Sequence, residues 1–193
     1  MKNPVSSNQY KEMYEMMGIN ISDLRCVMAD VESSPFQDVV DIKDEYLFRS
    51  PDPEKAWMDG CVCKENPHVT VLYGLMDNYE VEWNVKKVLE GWTVDEIKIE
   101  TIEYFEGDDH YCVVGKVEVS EELLEGHQRL ELLPHINTHA PYIPHVTIAY
   151  VQKDEGILSE VMKSLSKLEN TTHKVTDINM GAKKRIIELK DVK

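Results

Sequence analysis

The sequence predicts an α+β fold of two pseudo-symmetric lobes, each a mostly antiparallel sheet packed against helices. Three observations predict it. Short β-branched runs alternate with segments of helical periodicity along the 193 residues. A strand, helix, strand order occurs twice. Two strands also repeat one another: Asn66-Pro67-His68-Val69-Thr70-Val71-Leu72-Tyr73 and Ile143-Pro144-His145-Val146-Thr147-Ile148-Ala149-Tyr150.

The elements follow in order. Tyr10, Met13, Tyr14 and Met17 fall at helical spacing and Gly18 closes the segment, so residues 1–20 read as an N-terminal helical extension. The core spans about 24–189, and residues 1–193 form one domain of two lobes. A strand follows with Leu24, Cys26 and Met28 on one face, ended by a Ser33-Ser34-Pro35 turn. Residues 36–60 read as a long loop with a short helix near Glu54 to Met58. The run from His68 to Tyr73 is a strand ended by Gly74. Val81, Val85 and Val88-Leu89 mark a helix over 80–90. Strands near 94–104 and 111–119 are joined at Gly107-Asp108-Asp109. Ser120 caps a helix to about Leu133, with Glu121 and Glu122 in its first turn. After Pro134, Pro141 and Pro144 come the second repeat strand, a helix over about 156–168, and strands near 174–180 and 185–189.

Composition narrows the function classes. No apolar run reaches the ~20 residues of a membrane helix, and Met1-Lys2-Asn3-Pro4 opens no signal peptide, so the expected location is cytoplasmic. The net charge of −15 repels phosphate backbones and argues against a grip on long DNA or RNA, while leaving a small anionic nucleotide able to enter a cleft. Cys61-x-Cys63 is too tight for a zinc knuckle, and Cys26 and Cys112 sit in apolar runs, so four free thiols are expected.

In a strand, side chains at i, i+2 and i+4 share a face. His68, Thr70 and Leu72 then point one way and Val69, Val71 and Tyr73 the other. His145, Thr147 and Ala149 sort against Val146, Ile148 and Tyr150 in the same manner. Each strand thus offers an imidazole and a hydroxyl to one face. Phosphoryl transfer without a metal suits that pair: a neutral histidine takes a proton from the attacking hydroxyl and a protonated one gives a proton to the leaving oxygen. The threonines can hydrogen-bond the non-bridging oxygens as charge develops. A single His-x-Thr carries little weight, since strand histidines are commonly structural. Two copies, each behind a proline in a β-branched run, carry much more.

On these motifs the chain resembles the two-histidine (2H) phosphoesterase superfamily, whose mark is a pair of His-x-Thr/Ser motifs in a bilobal, pseudo-twofold fold. The stretches Pro67 to Leu75 and Leu133 to Val151 look most like bacteriophage members, the anti-CBASS-type nucleases that destroy cyclic oligonucleotide signals, and like 2',5' RNA ligase-like proteins. The resemblance implies that His68, Thr70, His145 and Thr147 are catalytic, that no cofactor or metal is needed, and that the substrate is a small cyclic oligonucleotide cleaved by its own 2'-hydroxyl in evading host defence. A 2',5'-linked RNA or a terminal cyclic phosphate is the alternative substrate, and sequestration of a nucleotide without cleavage the alternative of another class.

Other residues are candidates for substrate contact: Tyr142, three residues before His145; His139, in the loop feeding that strand; Trp57, as a ring able to stack on a base; and Lys184, within the basic Lys183-Lys184-Arg185 turn. Tyr46 is a ring of the same kind, but packing is the expected reading there. His135 and His139 have i, i+4 spacing, but the flanking prolines argue for a loop and against a zinc site. His110, His127 and His173 read as surface residues.

Overall fold

The computed structural model describes residues 24–53, 58–78, 80–136, 141–182 and 185–188, with residue 16. The strands are β1 (Arg25–Val31), β2 (His68–Leu75), β3 (Glu96–Glu106), β4 (His110–Val117), β5 (His145–Gln152), β6 (Thr171–Ala182) and β7 (Arg185–Glu188). The helices are α1 (Ser34–Val39), α2 (Val81–Val88), α3 (Glu121–Leu130) and α4 (Glu155–Leu165). Short 3-10 turns lie at Asp44–Tyr46, Val62–Lys64 and Ser166–Leu168.

The strand order is β1-β2-β5-β4-β3-β6-β7, and β6 also pairs with β1, so the pairing runs in a ring. Each of these pairings is antiparallel. One half is β7-β6-β1-β2 and the other is β5-β4-β3. They meet at a single antiparallel bridge, Val69↔Val146. They meet again through β6, which pairs with Glu96 to Ile99 of β3 over Thr171 to Lys174 and with β1 from Val175 to Gly181. The expected α+β architecture of two antiparallel halves is the one observed.

The core lies between the sheet and the helices. Val27, Ala29, Val69, Val71, Val113, Val146 and Ile148 point inward from the strands and are fully buried. Leu123 and Leu130 of α3, packed on β2, and Val161 and Leu165 of α4, packed on β5, meet them. Burying a side chain of this size contributes about 1.5–3 kcal/mol, so these faces fix where the helices lie. Both helices have the N-caps that stop them fraying. Ser120 accepts from Leu123 N at 3.2 Å, and Asp154 accepts from Ile157 N at 2.9 Å, each satisfying an orphan donor.

Two sequence expectations need correction here. Ser33 to Val39 is not a bare turn into a loop: Pro35 sits in the first turn of α1, where its missing N–H costs nothing, and Phe36 anchors the helix in the core. His173 is not a surface residue. It is 3% exposed, stacked on Phe36 at 4.7 Å, and burial lowers its pKa. Tyr46 packs as expected, its hydroxyl donating to Glu160 of α4 at 2.7 Å while Lys43, just ahead of the 3-10 turn, pairs with the same carboxylate. The expected N-terminal helix and the helix near Glu54 to Met58 lie, but for residues 16 and 58, outside the described residues.

Gly74 has a job beyond ending a strand. Its φ is +99°, and a Cβ there would stand 2.2 Å from the Ile136 carbonyl oxygen. The missing side chain lets Ile136 N donate to Gly74 O at 2.9 Å and Met76 N to Pro134 O at 3.1 Å. His135 bridges to Leu75 in the same segment. The segment Pro134 to Ile136, which leads toward the second repeat strand, is therefore tied in extended form to the end of the first. His135 itself lies in this extended segment, its Nδ1 donating to Leu133 O at 2.9 Å.

Candidate active site

The two repeat strands are near copies in their local bonding. Pro67 O accepts from Val31 N at 2.8 Å, and Pro144 O accepts from Val117 N at 2.9 Å. The His68 Nδ1 hydrogen bond runs to Asn66 O at 3.0 Å, and that of His145 to Ile143 O at 2.8 Å. A carbonyl only accepts, so in both rings Nδ1 carries the hydrogen. That fixes the tautomer and leaves Nε2 as the proton-exchanging atom. Each proline thus sits between a histidine and the carbonyl that orients it.

The bridge Val69↔Val146 lies between the motifs. Antiparallel strands run opposite ways from it, which puts Thr147 at the register position of His68 and His145 at that of Thr70. The site is a two-by-two arrangement of imidazole and hydroxyl about the pseudo-twofold. The rings are close enough to interact: His145 has its pKa lowered, first by burial and further by the charge of His68.

Beyond the threonines the expected alternation fails, identically in both strands. β2 pairs Thr70 with Met28 but Leu72 with Val27, leaving Val71 as an extra residue. β5 pairs Thr147 with Val114 but Ala149 with Val113, leaving Ile148 extra. Such a bulge turns every later side chain to the opposite face. Leu72 and Ala149, expected beside the histidines, go into the core. Tyr73 and Tyr150, expected on the core side, share register positions with Cys26 and Cys112 and so join the face of the site. Burial pushes the Tyr73 and Tyr150 hydroxyls up and the Cys112 thiol up to about 11.

The site face of the second half also carries Phe105, opposite Cys112. Its ring meets His145 edge-on at a centroid distance of 5.0 Å, yet it remains 40% exposed. Sequence reading missed it, because a phenylalanine in an amphipathic strand looks like core. The usable signal was that Tyr104 and Phe105 are adjacent, so that one of them must leave the core face.

Of the other sequence candidates, Tyr142 stands at the site's edge. Its hydroxyl donates to Thr70 O at 3.3 Å, and its ring stacks on His127 at 3.9 Å. One face of the ring is thus covered by protein. His127, expected at the surface, is held inward by a 2.7 Å bond to Val71 O. Trp57, His139 and Lys184 lie outside the described residues. Among the described residues no three His, Cys, Asp or Glu side chains group as metal ligands, the four cysteines are free, and no helix is long and apolar enough to cross a membrane.

Two solved structures of Kluyveromyces marxianus Usb1 share this fold. One matches with a TM-score of 0.54 at 12% identity, covering 88% of this chain and 99% of that one. The other, determined with uridine monophosphate, matches with a TM-score of 0.53 at 12% identity, covering 88% and 98%. No curated protein matches the chain. The family model described as "2'-5' RNA ligase superfamily" matches residues 41–185, three-quarters of the sequence and both His-x-Thr strands. The chain therefore belongs to the 2'-5' RNA ligase superfamily, and it is an enzyme of the phosphoesterase kind.

Proposed function

We propose that this enzyme is a metal-independent phosphodiesterase that acts on RNA ends, with His68 and His145 as its acid and base and Thr70 and Thr147 as hydrogen-bond donors to the phosphate. One observation carries the reading. Two imidazoles, each with Nδ1 tied to a carbonyl and Nε2 left to exchange a proton, flank one bridge between strands. The arrangement supports a mechanism in which one ring accepts a proton and the other donates one on opposite sides of a phosphorus, as in-line displacement requires. In the step envisaged, the ribose 2'-hydroxyl gives its proton to one histidine and forms a bond to phosphorus. The bond from phosphorus to the 5' oxygen breaks, and the other histidine protonates that oxygen. A 2',3'-cyclic phosphate and a free 5'-hydroxyl result.

The choice of RNA ends over a cyclic messenger rests on the family description, which names RNA, and on a fold neighbour determined with a ribonucleotide monophosphate. The cyclic oligonucleotide reading, with its phage role, keeps one observation: a surface of net charge −15 suits a compact ligand better than a long chain. An end of one or two nucleotides meets that limit as well. Sequestration alone would need neither acid nor base.

The test is a substrate panel in EDTA: short RNAs with 3',5' or 2',5' linkages, RNAs ending in a cyclic phosphate, and cyclic di- and trinucleotides, resolved by chromatography. Turnover of the linear RNAs, undiminished by chelation, is the expected result. Turnover of the cyclic oligonucleotides alone would reverse the two substrates. Activity lost in EDTA and restored by zinc or manganese would overturn the metal-independent chemistry.

Phe105 is the proposed platform for a base next to the scissile phosphate. Stacking on an aromatic ring is worth about 1–3 kcal/mol per base. Phe105→Ala is therefore expected to raise KM by roughly ten- to a hundredfold, with a smaller change in kcat. An unchanged KM would remove Phe105 from the site.

A further inference from the structure

The pseudo-twofold makes the two histidines equivalent in backbone and tautomer, yet acid and base must differ in charge. The strands beside them break the symmetry. Asp30 of β1 is paired with His68, and Lys116 of β4 is paired with His145. Both are the same kind of pair. Val31 N bonds to Pro67 O and Val117 N to Pro144 O, so the positions one step further in, Asp30/His68 and Lys116/His145, are non-hydrogen-bonded pairs. In that geometry Cα atoms approach to about 4.5 Å and the side chains lie closest, on one face. Equivalent sites on the two halves thus hold a carboxylate and an ammonium.

We propose that Asp30 and Lys116 are the positioning residues that divide the labour: His68, opposite the carboxylate, is the general acid, and His145, opposite the ammonium, is the general base. This rests on the phosphodiesterase reading above and assigns the two roles that reading leaves symmetric. An opposite charge favours the protonated imidazole and a like charge the neutral one.

The surroundings fit. Asp30 is held by the Asn179 side-chain amide, and its other carboxylate oxygen has no protein partner. Burial raises its pKa and the charge of His68 pulls it back down, so the two side chains sense each other. Asp177 of β6, paired with Asp30, adds a second negative charge on that side. On the other side Glu103 of β3 lies 3.4 Å from Lys116 and takes up part of its charge. The depression of His145, mainly from burial, acts in the same direction as Lys116.

A bell-shaped pH profile of kcat/KM has an acid limb set by the base and an alkaline limb set by the acid. Asp30→Asn is expected to move the alkaline limb to lower pH by about one unit. Lys116→Gln is expected to move the acid limb to higher pH by a smaller amount, since Glu103 already offsets part of the charge. The double variant then has a narrowed optimum, and Asp30→Glu restores the alkaline limb. NMR titration of the histidine ring signals reads the same changes without turnover: the His68 midpoint falls in Asp30→Asn and the His145 midpoint rises in Lys116→Gln. The pair titrates together, so the larger displacement identifies the residue. A merely structural role for Asp30 would lower the height of the profile and leave both limbs in place, which overturns the proposal. So does movement of the acid limb in Asp30→Asn. Should the wild-type chain turn over nothing in the panel, the phosphodiesterase reading fails, and the ring titrations still decide whether the two charges act on the two histidines.

Discussion

Alanine in place of either His68 or His145 is expected to lower kcat/KM by about 10²- to 10⁴-fold, the usual worth of a positioned acid or base. The chain should still fold. Both rings are partly exposed and bond only to carbonyls two residues away, whereas the neighbours Val69 and Val146 fill the core. Thermal unfolding within a few degrees of wild type, together with the loss of turnover, is the result that assigns the histidines to chemistry. A folded single variant with near-full activity would refute the paired assignment. The double variant should be little worse than either single one, because acid and base act in the same step and their losses do not add. Thr70→Ala and Thr147→Ala should be milder, since each removes one hydrogen bond and no proton carrier.

A substrate with deoxyribose at the cleaved linkage should bind and resist cleavage. The 2'-hydroxyl is tethered beside the phosphorus, and such attack carries effective molarities of about 10⁵–10⁸ M. Losing it removes the nucleophile while leaving the base stack and the phosphate contacts. The expected behaviour is competitive inhibition with an inhibition constant near the Kd of the ribose substrate. Cleavage at a comparable rate would show that water attacks directly. His145 has the environment a base needs at neutral pH: burial and the charge of His68 both lower its pKa, so it remains neutral further into the acid range than a solvated imidazole. An acid limb below pH 6.5, the ordinary value for histidine, follows from that direction.

Much of this site was legible because its parts are local. A His-x-Thr places two side chains on one face by the period of a strand, and a proline ahead of each histidine recurs in both copies. The N-caps Ser120 and Asp154 are equally local. What escaped the sequence depends on pairing. The bulges at Val71 and Ile148 exist only relative to partner strands, and they moved Leu72, Tyr73, Ala149 and Tyr150 to faces opposite those expected. Phe105, Asp30 and Lys116 belong to strands distant in sequence from the motifs, and only register brings them alongside. His173 shows the same limit: an imidazole bounded by polar residues reads as surface until Phe36 is seen stacked upon it.

The dual pairing of β6 also has a consequence for how the chain is made. Residues of the first half, from β1 onward, emerge from the ribosome long before Thr171, yet one edge of β1 has its partner only in Val175 to Gly181. Until then β1 and β2 are a two-stranded ribbon with an open edge, too small to be stable alone. Contacts this remote in sequence close slowly, because the loop between them must be ordered first. The nascent chain therefore carries an unpaired, apolar edge until β6 has been made, the kind of surface that chaperones bind and that seeds aggregation. Synthesis of β6 serves both halves at once, so β1 and β3, one in each histidine-bearing half, gain their last partners only after Thr171 to Gly181 has emerged.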